Sequence, residues 1–219
     1  MAMQLVDANV VVLSKGNNPS LLNHDFLERN NIIPGGWAPK QVIVTAPVAA
    51  VRYDNGYTIS VEATRLQFSV GGVDFSKPGW GAQVSNIASR YLDVLPHVDY
   101  TAAGFNFTYK STTLTGDAAE QALIGAFLKP GGWQNEAGSL TGTVLELQFR
   151  KHYPHFLVKL GVEETVSNGE RKLDGFVVGG NFHYDFSPQE REQRAAFIHS
   201  IAEREAQLRA YLEQLPLEL

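Results

Sequence analysis

The sequence predicts an α+β fold, with antiparallel sheet carrying helices on one face, and three observations carry that expectation. Asn55-Gly56 and Asn168-Gly169 each lie between flanks rich in β-branched and aromatic residues, the pattern of a hairpin around a tight turn. Val84, Ile87, Ala88, Tyr91, Leu92 and Leu95 recur at helical spacing and Pro96 follows them, which marks an amphipathic helix and its stop. Pro-Gly-Gly-Trp occurs twice, at 34–37 and 130–133, each time after a short amphipathic stretch and before strand-like sequence.

The remaining elements follow in chain order. Leu5 to Leu13 is valine-rich and reads as a strand, broken by Lys15-Gly16-Asn17-Asn18-Pro19. Leu21, Leu22, Phe26 and Leu27 give a short helix that ends near Asn30-Asn31. Gln41 to Asp54 and Tyr57 to Val70 form the first hairpin, with Asn55-Gly56 supplying both positive-φ positions of a type I′ turn. Pro47 cannot donate to a ladder, so a bulge or an edge is expected within the first flank.

Val98 to Lys110 reads as a strand with Phe105, Phe107 and Tyr109 on one face, and Gly104 marks a kink or a close backbone approach. Asp117 to Leu128 is the next helix, and Thr143 to Arg150 the next strand. His155 to Val166 and Arg171 to Val178 make the second hairpin. At the end, Ser187 as N-cap, Pro188 in the first turn and Glu190 closing a capping box predict one long helix to Leu215.

The expected element order is β-α-β-β-α-β followed by α-β-β-β-α. It predicts one compact unit over 1–219, with pseudo-repeated halves at 1–114 and 115–219 joined into one continuous curved sheet. Gly-x-Asn-Phe-x-Tyr also recurs, at 104–109 and 179–184. The matches lie at unequal offsets, so coincidence among common turn residues accounts for them as well as duplication does. In element order alone the chain is similar to saddle-like pseudo-dimers of the TATA-box-binding-protein type and to dimeric α+β barrels. No motif of either is present.

Composition narrows the function classes. Hydrophobic residues make up 44% of the 219 and charged residues 19%, which fits a globular protein and neither a disordered nor a fibrous one. A net charge of −5 argues against a broad phosphate-binding surface and hence against nucleic acid. With no cysteine, disulfides, thiolate catalysis and Cys-ligated zinc are all removed. Asp7 interrupts the first apolar run, no basic n-region precedes it, and no segment has the ~20 apolar residues of a membrane span. A cytoplasmic protein without membrane contact is the expectation.

The search for chemistry returns little. The six histidines include His152 and His155, but an i, i+3 pair in extended chain points to opposite faces. There is no His-Glu-x-x-His, no Gly-x-Ser-x-Gly and no phosphate-binding glycine loop. No catalytic residue, cofactor or metal site is predicted.

Two surfaces remain as candidates. Arg150, Lys151, His152, His155 and Lys159 form the one basic cluster, interleaved with Phe149, Tyr153 and Phe156, and fit either an anionic-ligand patch or the lysine protection of a sheet edge. Phe197, Ile201, Leu208, Leu212 and Leu215 form the apolar stripe of the last helix, which predicts contact with a protein partner or a second copy. The function expected is non-enzymatic binding or assembly through a sheet surface or that helix, as a homo-oligomer or complex subunit. The alternative is a small-molecule-binding protein or enzyme with a pocket between sheet and helices, lined by Trp37, Trp80 and Trp133.

Overall fold

The structure is a computed structural model that describes residues 3–113, 116–132, 134, 143–150, 154–167, 170–187 and 189–216, with 165–167 and 170–173 described by backbone alone. Nine strands form one open antiparallel sheet, and five helices stand among the described residues. β1 (Met3–Lys15) and β6 (Asp99–Ser111) pair at its centre. On one side of them lie β5 (Arg65–Gly71), β4 (Tyr57–Glu62), β3 (Val48–Tyr53) and, at the edge, β2 (Pro39–Val44). On the other lie β9 (Glu170–Asp185), β8 (His155–Ser167) and the edge strand β7 (Leu145–Phe149). The sheet is curved and does not close, so it is no barrel.

Alternation decides which face is covered. Ala8, Val10 and Val12 of β1, Phe105, Phe107 and Tyr109 of β6, and Phe176, Val178 and Phe182 of β9 are all buried, each with a polar or small neighbour pointing the other way. Onto this buried face pack α2 (Trp80–Val94), α3 (Gly116–Phe127), α4 (Arg191–His199) and α5 (Ile201–Leu212). The short α1 (His24–Arg29) is N-capped by Asn23, whose side chain accepts from the Phe26 N–H at 2.8 Å. The face of α2 read from the sequence is the buried one, and Ser85 bridges it to α4, its hydroxyl 2.8 Å from the Gly81 carbonyl and 2.9 Å from that of Ile198.

Several sequence expectations change in detail. The first hairpin is a four-stranded meander. Pro47 stands in the turn between β2 and β3, where Thr45 N–H donates to the Val48 carbonyl at 2.9 Å, and a second turn at Ala63-Thr64 separates β4 from β5. Asn55-Gly56 does turn the chain, but only Gly56 has positive φ (87°). With Gly56 N–H donating to the Tyr53 carbonyl, this is a three-residue loop with one left-handed position rather than a type I′ turn. β8 and β9 pair as expected, from Ser167↔Glu170 outward, while Asn168-Gly169 themselves lie outside the described residues.

β9 is one long strand that takes in the Gly-x-Asn-Phe-x-Tyr segment. Gly104 is a close approach, since a Cβ there would lie 2.8 Å from the Phe182 carbonyl oxygen. The C-terminal helix is two helices, broken at Ser200, whose N–H and hydroxyl both donate to the Phe197 carbonyl. Ser187 and Glu190 form a turn before α4, with the Glu190 carboxylate accepting from the Ser187 N–H at 2.7 Å, and Pro188 lies outside the described residues.

The two Pro-Gly-Gly segments both follow a helix. After the first, Trp37 is half-buried as a lid against Tyr53 and Tyr57, with ring centroids 5.0 and 4.9 Å away. Trp133 lies outside the described residues.

Candidate functional site

The packed helices sit on one face, and among the described residues no helix covers the other face of the sheet. Antiparallel sheets often leave one face to water, and polar residues then alternate with the core positions. Here those polar residues stand in cross-strand register. One row starts at Gln41 and Arg52, continues through Thr58 and Ser69, reaches Asn9, Asn106 and Asn181 at the centre, and ends at Leu157 and Gln148. It crosses all nine strands.

The centre of the row is a hydrogen-bonded amide chain. Asn181 Nδ2 donates to Asn106 Oδ1 at 2.8 Å, Asn106 Nδ2 donates to Asn9 Oδ1 at 2.8 Å, and Asn9 Nδ2 donates to Asp7 Oδ1 at 3.2 Å. Each amide donates in the same direction, so their dipoles add towards the carboxylate. Burial pushes the Asp7 carboxyl above the usual range, against the Asn9 bond, which favours its charged form. Lys110 pairs with Glu163 across β9 on the same face.

Two shallow clefts of similar size flank this chain. One, of about 390 Å³, lies over β3, β4 and β5 and is lined by Lys40, Arg52, Asp54, Thr58, Ser69 and Asp7 among others. The other, of about 380 Å³, lies over β7, β8 and β9, with Arg150, His155, Leu157, Gln148 and Asn181 in its wall. The first sets Lys40 and Arg52 against Asp7 and Asp54, while the second has Arg150 and His155 and no carboxylate among its described lining residues. His183 stands opposite His155 in register and hydrogen-bonds Asp185 at 2.9 Å.

The basic cluster is therefore brought together in part. Arg150 and His155 line one cleft, and Lys159 is exposed further along β8 on the same face. Lys151 and His152 lie outside the described residues. The apolar stripe has a different fate. Phe197, Ile201, Leu208 and Leu212 are buried in the chain's own core, and Leu215 packs half-buried against it. They hold the helices to the sheet, and among the described residues none of these five stands exposed. Leu217 and Leu219 lie outside the described residues.

A cleft of about 750 Å³ lies on the helix side between the first Pro-Gly-Gly turn, α2 and the end of α4. Neither Trp37 nor Trp80 lines it; Trp80 packs edge-on to Phe75 instead. Ser89 and His199 meet there at 3.2 Å, but His199 is exposed, and among the described hydrogen bonds no carboxylate orients it. That is a surface contact without the third group that nucleophilic catalysis needs. Among the described residues, no set of three or more His, Cys, Asp or Glu is placed to hold a metal, and no helix is long and apolar enough to cross a membrane.

Sequence reasoning missed the amide row. Its one trace was the repeated Gly-x-Asn-Phe-x-Tyr, whose two copies are neighbours in space, pairing with Asn106 opposite Asn181. No model of a known protein family matches the chain, and no curated protein matches it either.

Proposed function

We propose that the protein is a non-enzymatic binding protein, a subunit of an assembly, whose working surface is the open face of the sheet. It would take an extended, acidic segment of a partner protein laid across the strands. The carrying observation is the aligned amide chain Asn181–Asn106–Asn9 between two clefts rimmed by Arg52 and Lys40 on one side and by Arg150 and His155 on the other. Among the described hydrogen bonds Asn106 Nδ2 makes a single one, which leaves its second N–H for a polar backbone, and the cations suit carboxylates at the ends of the segment. The aromatic residues of β6 and β9 face the helices, so base stacking, on which single-stranded nucleic acid relies, has no support here.

The test is capture of partners from host extract by the wild type and by the double variant Arg52→Glu, Arg150→Glu. Both side chains are exposed, so far-UV circular dichroism should not change. Capture that falls with the variant and with added salt supports the reading. Equal capture by both proteins would remove it.

We also infer an internal duplication, supported by the order strand, helix, Pro-Gly-Gly, strands, helix, which runs once through β1 to α2 and again through β6 to α4. On that order the join lies between α2 and β6, not near residue 114.

A further inference from the structure

The edge strand β2 is the part of the sheet least like the rest. Every residue from Pro39 to Val44 is exposed, including Val42 at 48%, Ile43 at 41% and Val44 at 53%. Among the described residues β2 pairs on one side only, with β3. Natural edges are usually blunted by charge, proline or a bulge. Here Pro39, Lys40 and a register shift blunt the first end, and Gln41 to Val44 are left bare.

We propose that β2 pairs with β2 of a second copy of this chain, antiparallel and about a two-fold axis through Ile43, so that two nine-stranded sheets become one. Two observations select this occupant and this register. Backbone donors and acceptors along an exposed edge select another strand rather than a helix or a small molecule. Thr45 N–H points inward to the Val48 carbonyl, so by alternation Val42 and Val44 turn their N–H and C=O groups outward. With Ile43 opposite Ile43, each Val42 faces the other copy's Val44, and the outward groups of both pairs meet as ladder bonds.

The side chains agree with that register. Val42 and Val44 lie on the helix face, so the apolar layer continues from one copy to the next, while Ile43 meets Ile43 on the open face. Gln41 meets Thr45. The ladder ends there, because the chain turns away after Thr45 and the register shifts between Pro39 and Gln41. The segment carries one cation, Lys40, and no anion; antiparallel pairing puts the two lysines at opposite ends, where parallel pairing would set them side by side. The contact is short, about five residues or ~17 Å, so a weak, concentration-dependent dimer is expected rather than an obligate one.

The chain has no cysteine, so a single introduced thiol reports the contact cleanly. Ile43 pairs with its copy at a non-hydrogen-bonded site, where Cα atoms lie ~4.5 Å apart, within disulfide reach. Under mild oxidation Ile43→Cys should give a covalent dimer about tenfold or more faster than Val144→Cys, a control beside the opposite edge that is 64% exposed. Wild-type protein should show a mass that rises with concentration in sedimentation equilibrium, and Ile43→Lys should stay monomeric with an unchanged circular dichroism spectrum. Equal crosslinking of the two cysteine variants, or a wild type that stays monomeric at millimolar concentration, would overturn the proposal. Neither measurement depends on what the open face binds.

Discussion

The two wings of the sheet are held in different ways. On the β2–β5 side the strands have six or seven residues and tight turns join them. Their core is mixed, with Ala49, Val51, Ile59, Val61 and Leu66 nearly inaccessible beside the buried rings of Tyr53, Tyr57 and Phe68. On the β7–β9 side, β8 and β9 have 13 and 16 residues, and the core is a train of aromatic rings. Phe156 stacks on Phe182 at 4.5 Å, Phe182 meets Phe107 edge-on at 6.1 Å, and Phe105 stacks on Phe197 at 4.5 Å. The first wing is fixed by backbone turns; the second is fixed by side chains that fit under the helices.

The difference predicts where each wing breaks. In the aromatic wing Phe182 is fully buried between two rings, so Phe182→Ala should cost about 3–5 kcal/mol in urea unfolding. A smaller cost than for Gly56→Val would mean that turns hold both wings.

In the meander Gly56 is the weak point. It has φ of 87°, and a Cβ there would lie 2.4 Å from the Gly71 carbonyl oxygen, a backbone atom tied to this turn by the Gly71 N–H bond to the Gly56 carbonyl. Gly56→Val should cost about 3 kcal/mol or more, and amide exchange should speed up first in β3 and β4. Exchange that rises evenly across the sheet would argue against a separately pinned wing.

Gly180 is the matching position in the other wing. A Cβ there would meet Leu208 Cδ2 at 2.3 Å, but Leu208 is a side chain and can rotate. Gly180→Ala should therefore cost less, about 1–3 kcal/mol. Adding Leu208→Ala, which opens the space, should recover little or nothing alone but should show a favourable coupling in the double-mutant cycle.

The last effect needs alkaline pH and is absent near neutrality. Tyr91 is buried between Phe26 and Phe68, and burial pushes its hydroxyl up to about 12. The unfolded chain ionises near pH 10 while the folded one does not, so the stabilisation is whole below pH 10. It should fall by about 1.4 kcal/mol per unit between pH 10 and about 12. Thermal melts with and without Tyr91→Phe measure it, and the Phe variant should lose that part of the slope.

Much of this fold could be read from residues alone. Alternation marked the strands, the 3.6-residue period marked α2 and the Asn-Gly pair marked the β3–β4 turn, because those signals act over a few neighbours in the chain. Of the site, only fragments were legible: the basic run at 150–159 and the repeated Gly-x-Asn-Phe-x-Tyr. Burial of Phe197, Ile201, Leu208 and Leu212 was read from the stripe, but not what they would be buried against, since a helix's period is the same whether its own sheet or another chain covers it.

Sequence by itself determined the strand or helix character of most segments, the shared face of Phe105, Phe107 and Tyr109, and the absence of thiol chemistry. Strand order was decided only in three dimensions. It set β1 beside β6 and β9 beside β6, brought Asn9, Asn106 and Asn181 from 97 and 75 residues apart into one hydrogen-bonded row, and left β2 alone at an edge. The physical reason is range: propensity and periodicity are local, whereas register between distant strands is chosen by the packing of the whole buried face.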